Sequence, residues 1–351
     1  MIMAGRGYRG LVPRPVSNPP NPWAGPHVEW LGEPPVARLE VYEEEAKSLL
    51  TRNESPDVPF RLGANPYRGC QHGCAYCYAR RHHEFLDWGA GSDFETKVVV
   101  KVNAPEVLRL ELARGGWQGD GLAFSGATDC YQPLEAHYEL TRRCLEVARE
   151  FRAPVAILTR GNLVRRDAAL LADIGRRSAA RVHLSIPTLD ADLARALEPL
   201  APAPAARLET VRRLSAAGIE VGVAVAPVIP GLTEHEVPAI LEAAAAAGAR
   251  RAFLILLRLP GPVEGVFFER LEDAVPGRAR RVRSALAELR AGQGGAATDF
   301  HERLRGRGPR WELTWQLFQQ TCRRLGLECG EEGLDHARLV RRKESQGELF
   351  D

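Results

Sequence analysis

The chain has 351 residues, enough for one large domain or two ordinary ones, and a formal net charge of +2. A balance this close to neutral excludes a global electrostatic pull toward nucleic acid or an anionic membrane. Seven cysteines, three of them clustered, are too few and too unevenly spread for a disulfide framework and point to a reducing, cytoplasmic setting. No apolar run approaches the roughly 20 residues that span a bilayer. Arg6 and Arg9 have no apolar stretch behind them, so no secretory signal and no membrane partner are expected.

Residues 1–35 hold eight prolines, including Pro19-Pro20 and Pro34-Pro35, a texture that predicts an extended segment with neither helix nor ladder. From about Phe60 short apolar runs alternate with amphipathic stretches. A first strand is expected just before Cys70, with Lys97–Val102 as an extra strand or extended connector. The remaining predicted strands are Leu122–Ser125, Val155–Thr159, Val182–Ile186, Val221–Val225 and Ala252–Leu257, each apolar enough to be covered on both faces. Helices are predicted over Leu134–Phe151, Arg165–Ile174, Ala205–Ala217 and Glu234–Ala247, the last two closed by Gly218 and Gly248.

Strand and helix alternate with a period of roughly 30 residues, which predicts βαβ units on a parallel sheet. Six such units suit a partial (βα)6 TIM-like barrel, an α/β fold whose chemistry sits at the C-terminal strand ends. Residues 1–58 then form a Pro-rich N-terminal extension, 59–262 the core, 263–335 a helical C-terminal region and 336–351 a charged tail. Within the third part, Trp311, Trp315 and Phe318 on a helix over Glu312–Leu325 read as core or cap packing. Arg303, Arg305, Arg307 and Arg310 read as a solvated face.

The run Cys70-Gln71-His72-Gly73-Cys74-Ala75-Tyr76-Cys77 is the main chemical signal. Three thiolates in eight residues suit an iron–sulfur cluster, and a missing fourth cysteine leaves one iron open. A zinc knuckle completed by His72, His82 or His83 is the bland alternative. The C-x3-C-x2-C spacing, with an aromatic residue before the last cysteine, resembles the radical S-adenosylmethionine superfamily. The flanks Asn65-Pro66-Tyr67-Arg68-Gly69 and Tyr78-Ala79-Arg80-Arg81, and Asp93-Phe94-Glu95-Thr96-Lys97 downstream, resemble its spore photoproduct lyase-related group. Arg80 and Arg81 read either as a source of positive field or as ordinary surface arginines.

The resemblance covers about residues 60–260. It implies a 4Fe-4S cluster on Cys70, Cys74 and Cys77, with S-adenosylmethionine on the open iron. It also implies reductive cleavage to a 5′-deoxyadenosyl radical, in a lyase or oxidoreductase, fed by a reductant protein such as flavodoxin or ferredoxin. Tyr76 would pack on the adenine. Gly126, Thr128 and Asp129, in Ser125-Gly126-Ala127-Thr128-Asp129, would receive the ammonium group, which has donors and no acceptor. Asp129 also reads as a helix cap. Arg160 stands where the group has a cofactor-contacting lysine, and Ser185 matches a serine facing the ribose or carboxylate. Arg195, which no motif of the group matches, is offered by its charge as a partner for the cofactor carboxylate. His183 reads as a buried structural histidine. The apolar end of the fifth strand, Ala224–Gly231, would pack under the adenine.

The hydrogen-donating cysteine of the photoproduct group falls here on Gly126; Cys130, just after Asp129, reads either as a relocated catalytic donor or as a passive small residue. Two substrate classes follow, a nucleic-acid base or lesion and a protein or small metabolite; a non-catalytic iron–sulfur or zinc module is the third reading. The tail Gln346-Gly347-Glu348-Leu349-Phe350-Asp351 resembles the short peptide by which bacterial repair proteins bind the replication sliding clamp, which implies that clamp as a partner.

Overall fold

The computed structural model describes residues 14–16, 39–55, 58, 60–114, 117–124, 126–290 and 304–329. Its centre is a sheet whose parallel strands are β1 (Leu62–Ala64), β2 (Leu122–Phe124), β3 (Val155–Thr159), β4 (Ala180–Ser185), β5 (Glu220–Val228) and β6 (Arg251–Leu256), hydrogen-bonded in that order. A two-residue parallel strand, β7 (Glu328–Cys329), follows β6 at one margin. The antiparallel Leu50–Arg52 follows β1 at the other. Among the described residues these margins are not paired with each other, so the sheet is an open arc rather than a closed barrel.

The strands form where the expected apolar runs lie, because both faces are covered. All of β4 is buried, and Ile157, Val182, Val223, Leu145 and Ile240 share one core between sheet and helices. Val155–Thr159 agrees residue for residue, while β5 runs on to Val228 with a register shift between Val225 and Val228. Helices Pro204–Ala216 and Val237–Ala246 end before Gly218 and Gly248, whose φ values of 79° and 100° close the turns.

Two expectations are corrected, and a third, open between strand and connector, resolves to a strand. Residues 1–35 are not free of ladder: Arg14–Val16 pairs antiparallel with Val41–Glu43, at the margin of a second sheet, where a proline is tolerated. Lys97–Lys101 is a strand of this second sheet, between Glu40–Glu44 and Tyr67–Arg68. The stretch 134–151 is two helices, Glu135–Tyr138 and Leu140–Glu150, broken at Glu139 with φ 51°. The break lets the buried Glu135 carboxylate accept from the Thr141 and Arg142 amides (2.9 and 3.1 Å), which a new helix leaves without partners.

The C-terminal region is helical, with Val263–Ala274, Arg278–Leu289 and Pro309–Leu325. Trp311 and Phe318 are core, as expected. Arg310 is bound in ion pairs to Glu234 and Glu288. Arg303 and the tail 346–351 lie outside the described residues. No helix among the described residues is long and apolar enough to cross a membrane.

Candidate active site at the strand ends

A cavity of about 720 Å³ opens at the C-terminal ends of the strands. Cys70, Cys74 and Cys77 line it, as do Tyr76, Gly126, Thr128, Asp129, Arg160 and Ser185. The sequence-predicted residues therefore converge, with two exceptions. Arg195 is absent from the lining; its Nη1 donates to the Pro199 carbonyl at 3.0 Å, which ties down the end of its own helix. Cys130 is fully buried in the main apolar core and also does not line the cavity, the position a hydrogen donor needs.

The cysteine loop is held from outside by a buried arginine. Arg80 is not a surface residue: it is 0% exposed, and its guanidinium donates to the carbonyls of Gly73, Cys74, Ala90 and Gly91 at 2.6–3.0 Å. Its charge is met by Glu95 at 2.6 Å, which also accepts from Arg270 Nη2 at 2.5 Å, while Arg270 Nη1 reaches the Gly73 carbonyl at 2.8 Å. Four carbonyl acceptors are thus drawn outward by a planar fork that no lysine can reproduce. Gly69 enters the loop at φ 79°, where a Cβ would lie 2.8 Å from the Lys97 carbonyl oxygen. Only glycine permits both the turn and that approach.

From inside, the loop is laced to the segment after β2. Thr128 Oγ1 donates to the Gly69 carbonyl (2.5 Å) and accepts from Gln132 Nε2 (3.1 Å). The Gln71 amide N–H donates to Gln132 Oε1, and the Leu134 amide to Gln71 Oε1. Asn65 Oδ1 accepts from the amides of Gly126 and Ala127, which fixes the glycine against the cavity.

Asp129 Oδ1 accepts from Thr159 Oγ1 (2.6 Å) and the Tyr131 amide (2.9 Å). Its Oδ2 accepts from the Arg160 amide (2.8 Å) and faces His72 Nδ1 at 3.2 Å. Of the carboxylate's roughly four lone-pair sites, three take hydrogen bonds and His72 stands against the remaining edge. Burial pushes its pKa up, but His72 and these hydrogen bonds outweigh that and hold it at about 2. The carboxylate therefore remains a fixed negative charge on the wall, while Thr128 keeps one acceptor lone pair unspent.

Sequence reasoning missed Glu198 and Arg207. Asp190 caps helix Ala191–Leu197 by accepting from the Asp192 and Leu193 amides, and the helix stops because Pro199 disfavours helical geometry in the residue before it. Glu198 thereby leaves the helix with its carboxylate turned to the site. It accepts from the Tyr76 hydroxyl, from Arg160 Nε at 2.7 Å and from Arg207 Nη2. Burial works to raise its pKa, yet Arg207 and Arg160 bring it down to about 2. Burial and the same carboxylate push the Tyr76 phenol well above its usual range, so it remains a donor. A lone glutamate at a helix end carries no such signal in the sequence. His183, by contrast, is buried and structural as expected, with burial and the nearby Arg181 and Arg251 depressing its pKa to about 3.

All three loop cysteines are unpaired with any other cysteine, and burial first of all pushes each thiol pKa upward, that of Cys74 to about 12. Such thiols suit a group that brings its own positive charge. Among the described residues no three His, Cys, Asp or Glu side chains are grouped to hold a single metal ion. A multi-iron cluster takes its thiolates at separate corners, so soft donors on one wall fit it better than they fit a single zinc.

The mouth of the cavity is lined by Tyr78, Arg81, His82, Arg258, Arg305 and Trp315, with Arg305 over the Trp315 ring at 5.8 Å. Trp315 packs against the main core as expected for its stripe and also reaches this cavity, as does Arg305. Asp129 is the sole acidic residue among the described lining residues.

An open parallel arc with a three-cysteine loop at its strand ends defines a family, and the sequence match agrees: the chain belongs to the Radical SAM superfamily, matched over residues 64–244. It is 39% identical over 250 residues to an uncharacterized protein of Mycobacterium tuberculosis, covering 70% of this chain and 73% of that one. An uncharacterized protein of Methanocaldococcus jannaschii is 30% identical over 200 residues, covering 57% and 72%. In structure the chain is similar to spore photoproduct lyase complexed with dinucleoside spore photoproduct, with a TM-score of 0.59 and 15% identity over 82% of this chain and 81% of that one. At that identity the likeness is one of fold.

Proposed function

We propose that the protein is a radical S-adenosylmethionine enzyme acting on a nucleic-acid base or lesion. The observation that carries this reading is the single cavity shared by the three cysteines and the polar strand ends. Cys70, Cys74 and Cys77 would hold a 4Fe-4S cluster. When bound, the cluster and S-adenosylmethionine supply reductive cleavage to a 5′-deoxyadenosyl radical. Tyr76 offers its ring to the adenine, Ser185 and Arg160 flank the nucleoside side, and Thr128 offers its remaining lone pair to the ammonium group. Asp129 contributes charge rather than a lone pair.

For the substrate, cations and aromatic rings at the mouth suit phosphates and bases, although net charge outside this rim is nearly balanced. The likeness to spore photoproduct lyase supports the same class. Gly126 and the core position of Cys130 argue for a different source of the returned hydrogen. The expected reductant is a flavodoxin- or ferredoxin-like protein.

Anaerobic reconstitution with dithionite and S-adenosylmethionine tests the chemistry. Release of 5′-deoxyadenosine is expected, and none above a Cys74→Ala control would sink the proposal. Salt-sensitive retention on single-stranded DNA tests the substrate class, and turnover on a protein or metabolite without such retention would move it to the alternative class.

A further inference from the structure

Glu198 joins separate parts of the nucleoside wall. Its carboxylate touches Tyr76 from the cysteine loop, Arg160 from the end of β3 and Arg207 from helix Pro204–Ala216. Arg207 Nη1 passes the link to the Ser185 carbonyl at the end of β4 (2.9 Å). Arg160 Nη2 reaches the Ala226 carbonyl on β5 at 3.3 Å, and Ser185 Oγ donates to that same carbonyl at 2.9 Å. The backbone on either side of Glu198 is tied to the cysteine loop as well. Ala75 N–H donates to the Leu197 carbonyl (2.8 Å), and Leu200 N–H to the His72 carbonyl (3.3 Å). Residues 197–200 therefore run as a strap along the loop, with the carboxylate at its centre.

We infer that Glu198 is a positioning residue for cofactor binding: through Tyr76 and Arg160 it sets the wall that receives the adenosine half, and Arg207 holds it in place. The inference rests on the proposed function, since it assigns that wall to the nucleoside. Two features separate it from mere scaffolding. Glu198 is 1% exposed, so its charge persists only through its two guanidinium partners. Its three partner side chains do not all serve the core: Tyr76 and Arg160 line the cavity, with Arg160 5.6 Å above the Tyr76 ring. An aromatic platform whose hydroxyl is pinned, under a cation that is also pinned, has its orientation fixed before the ligand arrives. Pre-ordering of this kind lowers the cost of binding.

The test is equilibrium binding of S-adenosylhomocysteine to the anaerobically reconstituted full-length protein, by calorimetry, beside iron content and the cluster absorption spectrum. Glu198→Gln is expected to weaken binding about tenfold, the size of one lost charge-assisted hydrogen bond. Iron content and spectrum should match the wild type. Tyr76→Phe, which keeps the ring and removes only the hydroxyl, is expected to weaken binding about threefold and to add nothing when combined with Glu198→Gln. It also keeps the test alive where Glu198→Gln fails to fold. Wild-type affinity in Tyr76→Phe, effects that multiply in the double variant, or loss of iron in a folded Glu198→Gln protein would each overturn the inference. Absence of binding by the wild type would instead overturn the proposed function.

Discussion

Two carboxylates, each between two arginines, hold opposite sides of the same loop. Glu95 sits between Arg80 and Arg270, and Glu198 between Arg160 and Arg207. The first trio spends its donors on backbone carbonyls of the loop and of residues 90–91, and is turned away from the cavity. The second spends them on Tyr76 and on the ends of β4 and β5. Equal chemistry thus serves two ends, the path of the main chain on one side and the pose of side chains on the other. Breaking the first should cost folding and metal; breaking the second should cost ligand affinity.

The largest effect is expected from Arg80→Met. It leaves carbonyls unpartnered and one side of Glu95 open, at a cost of about 3–5 kcal/mol. Denaturant melts should show this loss, and iron bound after reconstitution should fall well below that of the wild type. Arg80→Lys should lie between, because a point cation cannot reach four carbonyls. If Arg80→Lys instead kept its iron and lost nucleoside affinity, the division between the two trios would fail.

A smaller effect concerns pH. His183 has a pKa of about 3 in the folded protein, below its unfolded value of about 6.5. The folded state therefore binds fewer protons. This part of the stability is complete above pH ~6.5 and drains away as the pH falls toward 3. Between pH 7 and 5 the expected loss is about 2 kcal/mol, at 1.36 kcal/mol per unit. Urea melts of His183→Leu should show less of it, and an identical slope in both proteins would contradict the assignment. The smallest effect is expected at the mouth. Arg305→Ala should lower the salt slope of single-stranded DNA retention by about 1 and leave cluster loading untouched.

The parallel strands were legible because each is an apolar run punctuated by polar or turn residues, as Val155–Thr159 is between Pro154 and Gly161. The cysteine loop was legible because its three cysteines are adjacent in sequence. Arg80 was not, since a charged residue gives no sign of burial until distant carbonyls fold around it. Glu198 was not, because its partners Tyr76, Arg160 and Arg207 come from three other parts of the chain. The break at Glu139 escaped notice for a related reason. Nothing local asks a glutamate to adopt φ 51°; the buried carboxylate of Glu135 rewards it.

The margins of the open arc have a consequence for how copies of the protein meet. A parallel sheet left unclosed exposes peptide groups on which a second chain can build, the first step toward amyloid-like growth. Here one margin is the three residues Leu50–Arg52 and the other the two residues Glu328–Cys329. Among the described residues neither of these strands offers enough rungs to seed a register. The cavity can stay open at the strand ends without turning the whole sheet into a template.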